Sequence, residues 1–217
     1  MVTHAADGVA GPPVPDTPLT RDITEYVREV EDDLLFDHSR RVYFFGALHG
    51  RRRGLEPDLE LLYAGAMFHD VGLTEPYRST SSARFEVDSA DTARDFLVER
   101  GVDAALARRV WLGIALHTTP GIPEFLEPEV ALVTAGVETD VLGIGLELLA
   151  AEAREAVVAV HPRPDFKRRI LAAFTAGMRQ RPASTFGTPN ADVLEHYDPT
   201  FAREDFVEVI LNSGWPE

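Results

Sequence analysis

The chain contains no cysteine, so it has no disulfide, no thiolate metal ligand and no cysteine nucleophile; any metal must be held by histidine and carboxylate. Lysine is almost absent too. Lys167 is the single one, and arginine, suited to planar pairing with carboxylate or phosphate, supplies the other cations. Positive charge as a whole is scarce: 21 Lys and Arg stand against 36 Asp and Glu, a net charge of −15 that repels phosphate backbones and anionic membrane surfaces. Nucleic acid and membrane are therefore not expected as partners, which leaves a small-molecule substrate. No window approaches the apolar length of a membrane span, and the first eighteen residues lack the basic start and apolar run of a signal peptide, so a cytoplasmic protein is expected.

What is present is helical periodicity. The 217 residues suit one compact domain. Residues 1–18, with Pro12, Pro13, Pro15 and Pro18 among small and polar side chains, read as a flexible leader. Residues 19–217 read as one domain, with a metal-binding core at about 37–143 and C-terminal helices over 146–212 packed on it. Thr20 is the expected N-cap of a first helix bearing Ile23, Val27, Val30 and Leu34 on one face. A second helix over 37–50 aligns His38, Val42, Phe45 and His49 before Gly50 closes it. A third starts near Pro57, buries Leu59, Leu62, Tyr63, Ala66 and Met67, runs into His69-Asp70 and stops around Gly72. The pattern repeats over 88–100, 103–117, 128–142, 146–160, 164–179, 189–196 and 203–212, where Phe206, Val209 and Ile210 cluster and serve either a core or a homo-oligomer interface. No segment reads as a strand, so the expected fold is an all-α, single irregular helical bundle.

Adjacent His and Asp on a helix diverge by about 100°, so His69 and Asp70 converge on one ion only if it lies off the flank near the helix end, with other helices completing the shell. The run Leu-Tyr-Ala-Gly-Ala-Met-Phe-His69-Asp70-Val-Gly72, with His38 thirty-one residues before the pair and Asp140 seventy after Asp70, resembles the HD superfamily, whose pattern is a His, a His-Asp pair and a distant Asp. Asp37-His38-Ser39-Arg40-Arg41-Val42-Tyr43 is similar to the first-ligand helix of many HD enzymes. The resemblance implies an HD-type helical bundle and one divalent metal ion held by His38, His69, Asp70 and Asp140. Within the superfamily the chain looks most like the cyanamide hydratase group, through Phe85-Glu86 and a His like His117 closing a later helix. That likeness makes Glu86 and His117, with Asp70, the acid–base candidates. Where dinuclear members carry further histidines this chain reads Phe85-Glu86-Val87-Asp88-Ser89, which favours one metal over two.

Two imidazoles and two carboxylates suit Zn²⁺ or Fe²⁺, and also Mn²⁺. Such an ion makes its water reactive near neutral pH and polarises a substrate atom, so a protein nucleophile is not required. The leading expectation is a metal-dependent hydratase or hydrolase, acting on a small polar molecule of nitrile or amide type. The alternatives are a phosphohydrolase acting on a nucleotide or phosphate monoester, with Arg40 or Arg41 facing the phosphate, and a non-catalytic ligand-binding HD domain. Other features read as structural. His49 lies roughly 16 Å along the helix from His38, too far to share an ion. His4, His161 and His196 fall in the leader or in connections, and Arg51-Arg52-Arg53 and Lys167-Arg168-Arg169 are solvated charge runs. Gly143-Ile144-Gly145 is a bend and not a dinucleotide cradle, and residues 118–123 form a stiff pocket rim.

Overall fold

The computed structural model describes residues 12–75 and 77–215. Within them lie eleven α-helices and no strand: α1 (Pro18–Val30), α2 (Asp33–Arg53), α3 (Leu59–Phe68), α4 (Tyr77–Thr80), α5 (Phe85–Glu99), α6 (Ala104–Ala115), α7 (Pro128–Val137), α8 (Ala151–Val160), α9 (Phe166–Met178), α10 (Asn190–Tyr197) and α11 (Phe206–Leu211). The all-α bundle expected from periodicity is what forms. No helix among the described residues is long and apolar enough to cross a membrane.

Several boundaries move, each for a local reason. Thr17, not Thr20, caps α1: the Thr17 hydroxyl accepts from the Thr20 amide and the Thr20 hydroxyl accepts from the Thr17 amide, both at 3.1 Å, so Thr20 closes a capping box. Residues 1–11 and His4 of the expected leader lie outside the described residues. Its remainder is packed, with Pro12 buried and the Pro13 carbonyl accepting a 2.9 Å hydrogen bond from Tyr43 Oη. α2 runs through Gly50 to Gly54, so Arg51, Arg52 and Arg53 are exposed on its last turn and not on a loop. The segment 146–160 divides into a 3₁₀ turn at Leu146–Leu148 and α8. Gly143 and Gly145 both take positive φ, which makes the bend expected there.

The core is the contact of α2, α3 and α7, flanked by α5 and α6, with Val42, Phe45, Leu62, Met67, Leu132 and Val133 nearly or fully buried. α2 and α7 approach backbone to backbone: a Cβ on Gly136 would meet the Val42 carbonyl oxygen at 2.2 Å. A second apolar cluster, including Leu34, Leu73, Phe85, Phe166, Ile170 and Leu194, joins α9 and α10 to the start of α2, the turn at Val71–Leu73 and the start of α5. The expected packing of the whole 146–212 region onto the core fails at α11. All six of its residues are exposed, Phe206, Val209 and Ile210 included, because a helix of under two turns presents no continuous stripe for burial.

Candidate metal centre

α2 carries His38 and, one turn on, Arg41, both with no exposed surface. α3 reaches His69 in helical conformation; Asp70 then takes φ −109° and ψ 2° before a single 3₁₀ turn at Val71–Leu73. That break resolves the divergence of adjacent helical residues. Outside the helix, Asp70 brings Oδ2 to 3.4 Å from His69 Nε2 and 3.6 Å from His38 Nε2. His38, His69 and Asp70 each offer a ligand atom within 4.8 Å of the others.

The imidazole protons are fixed by what lies behind each ring. His69 Nδ1 is 2.8 Å from the Ala66 carbonyl and His117 Nδ1 is 2.6 Å from the Ile114 carbonyl; a carbonyl only accepts, so both rings donate from Nδ1. His38 Nδ1 donates to Asp140 Oδ2 at 2.7 Å. The Nε2 atoms are thereby left to face inward. Those of His38 and His69 stand 3.1 Å apart, and both buried oxygens of Asp70 lack a hydrogen-bond partner. Two imidazole lone pairs turned toward each other beside an unsatisfied carboxylate are costly unless a cation or a bound water satisfies them. A divalent cation among them relieves both, and imidazole with carboxylate is a donor set for Zn²⁺, Fe²⁺ or Mn²⁺. The residues fit a metal ion.

Asp140 is the exception to the expected ligand set. It lies in a wide π turn, Glu138–Leu142, that extends α7, and it stands on the far side of the His38 ring from Asp70. Arg41 grips both its oxygens, Nε to Oδ1 at 2.8 Å and Nη2 to Oδ2 at 2.9 Å. The structure therefore places it behind His38, as the carboxylate that fixes the ring's tautomer and direction. The cause is spacing: Arg41 is three residues past His38 on the same helix, so its guanidinium reaches the same carboxylate. Nor is Arg41 directed at a substrate phosphate, since its Nη1 donates to the carbonyls of His161 and Pro162.

Glu86 and His117 stand beside the group. His117 Nε2 is 3.7 Å from Asp70 Oδ1; burial first, and then His69, push its pKa down to about 4, so it is a neutral ring at physiological pH. Glu86 is fully buried and accepts from Arg84 Nη2 at 2.9 Å, from Asn190 Nδ2 at 2.9 Å and from the Thr118 hydroxyl. Burial alone would raise its pKa. The hydrogen bond and charge of Arg84, with His117 and Thr118, outweigh that and hold it below the usual carboxylate range. Glu86 is thus held ionised and fixed in place, and Thr118 from the expected rim serves to hold it. His49 is buried and bonded to Thr139 Oγ1 at 2.8 Å, a structural residue as expected. His161 is not the surface residue its position suggests: its ring stacks on Phe44 and its Nδ1 donates to Asp37 Oδ1 at 3.1 Å. His196 is exposed.

The profile of the HD domain matches residues 35–158, more than half of the chain, from the first turn of α2 to the last turn of α8. The chain belongs to the HD domain family. No curated protein matches it. HD domains are typically metal-dependent hydrolases, and His38, His69 and Asp70 are where this HD domain could hold a divalent metal. Its centre is covered. His38 and His69 are 0% exposed and Asp70 1%, with the Phe166 ring of α9 at 5.4 Å from His38 and the Phe85 ring of α5 at 5.6 Å from His117. The arginine fork of Arg41 was not read from the sequence; its one signal is the three-residue spacing from His38 on the same helix.

Proposed function

We propose that this HD domain is a metal-dependent hydratase or hydrolase of a small, uncharged polar molecule of nitrile or amide type, and that one divalent cation sits at His38, His69 and Asp70. When bound, such a cation makes water reactive near neutral pH and polarises the substrate. His69 and His38 hold their Nε2 atoms in place through the Ala66 carbonyl and Asp140. Phe85 and Phe166 keep bulk water out, so a substrate entering the centre must be small and must displace this apolar cover.

The commitment of the arginines carries the choice of substrate class. A phosphate needs cations turned toward it, yet Arg41 is spent on Asp140 and Arg84 on Glu86, while Arg40 donates to Tyr63 Oη at 2.8 Å and to His161 Nε2 at 3.4 Å. Incubating zinc- or iron-loaded protein with parallel panels of nitriles, amides, nucleotides and phosphate monoesters tests the proposal. Turnover in the nitrile or amide panel, lost with chelator and absent in His69→Ala, is the expected result. Turnover confined to phosphates would replace it with the phosphohydrolase reading, and no turnover of any panel with the metal bound would favour a ligand-binding domain.

A further inference from the structure

Asp70 reaches the centre because the chain leaves the helix there, and the turn that follows is held from outside. Within it, Leu73 donates to the Asp70 carbonyl at 2.9 Å and Thr74 to the Val71 carbonyl at 3.0 Å. The buried Gly72 turns both of its backbone groups to side chains elsewhere: its amide donates to Ser89 Oγ of α5 at 2.8 Å, and its carbonyl accepts from Arg181 Nη2. Arg181 lies three residues past α9 and is only 3% exposed. Its Nε donates to the Gly177 carbonyl at 2.9 Å, and its Nη1 donates to the Ala83 carbonyl at 3.2 Å and to the Asp88 carboxylate. One buried guanidinium thus ties together the end of α9, the turn after Asp70 and both flanks of Glu86. The turn has no slack between them. A Cβ on Gly72 would meet the Phe85 carbonyl oxygen at 2.2 Å, and one on Gly177 would meet Leu73 Cδ2 at 2.6 Å.

We propose that Arg181 is a positioning residue of the metal centre. Its guanidinium locks the Gly72 carbonyl against the start of α5, and so holds Asp70 off the end of α3, where Oδ2 stands 3.4 Å from His69 Nε2 and 3.6 Å from His38 Nε2. It acts through the backbone and does not touch the ion. A planar fork with five donors can serve three segments at once; a lysine ammonium cannot match that geometry. Arg181 also lies outside residues 35–158, as do Phe166, whose ring is 5.4 Å from that of His38, and Asn190, which donates to Glu86 at 2.9 Å. The centre is therefore completed by chain beyond the span that the HD profile matches. This rests on the metal-binding reading proposed above.

Cobalt(II) titration of the metal-free full chain tests it, with affinity and the visible d–d spectrum as readouts and circular dichroism to establish that each variant is folded. Arg181→Met should keep one cobalt per chain, bind it about 10-fold or more weakly and show an altered spectrum, because Asp70 moves. Arg181→Lys should fall between Arg181→Met and the wild type, and it decides the matter if Arg181→Met does not fold. Arg179→Gln, which breaks the 3.1 Å pair with Asp198 two residues away, should leave both readouts as in the wild type. Wild-type affinity and spectrum in the folded Arg181 variants would overturn the proposal. So would an equal shift in Arg179→Gln, or loss of the fold in both Arg181 variants, since Arg181 would then serve the fold alone. Failure of the wild-type chain itself to bind cobalt would overturn the metal reading as well, a result distinct from the others.

Discussion

At Asp140 two roles compete for one carboxylate, and Arg41 decides between them. A direct ligand, once amidated, should cost the centre its ion. An orienting carboxylate should not: Asp140→Asn is expected to retain one zinc per chain while weakening its affinity about 10- to 100-fold, as isothermal titration would show. The same substitution leaves the fully buried Arg41 without its anion, an effect on the order of 3–5 kcal/mol of stability, readable in urea melts. His49 carries a separate prediction. Burial first, and then Arg53 and Arg52, push its pKa down to about 4, whereas an unfolded histidine titrates near 6.5. The unfolded chain therefore binds the extra proton between those values, so the stabilisation is complete above about pH 6.5 and is lost as pH falls toward 4. Its size is roughly 3 kcal/mol, and His49→Gln should flatten the fall in unfolding free energy over that window.

At the scale of the elements, the helices rest on signals of different range. The stripes of α2 and α3 were legible because burial repeats every three or four residues, and with them the positions of His38 and His69 on inward faces. The departure of Asp70 from the helix was not, since it depends on how the 3₁₀ turn at Val71–Leu73 meets α5 and α9. The reach of Arg41 to Asp140 needs α7 to lie against α2, and no local pattern encodes that distance. α11 departs for the opposite reason: its apolar residues read as serving either a core or an interface, and within the fold all six of its residues are exposed. The α2–α7 contact is itself testable. Gly136→Ala would drive a methyl into the Val42 carbonyl, one turn from His38. Overpacking of this kind costs roughly 1–3 kcal/mol, so calorimetry should show Tm lowered by about 2–12 °C.

Over the whole molecule, the acidic surface and the buried centre follow different rules. Among the described residues most acidic side chains are solvated, while six carboxyl groups are buried and all of those but Glu31 and Asp70 are neutralised by arginine within the fold. One place where the interior is left short of positive charge lies between Asp70 and the facing Nε2 atoms of His38 and His69. The resemblance to HD enzymes pointed to these residues, and the structure gathers His38, His69 and Asp70 where a divalent cation could be held. A cation that binds only the folded chain should also stabilise it, by about 2.7 kcal/mol at a hundredfold excess over Kd. Elemental analysis of protein purified without chelators tests the central claim most directly. One divalent ion per chain in the wild type and none in folded His69→Ala is the predicted result; a wild-type chain without stoichiometric metal, or a His69→Ala chain that keeps it, would contradict the account.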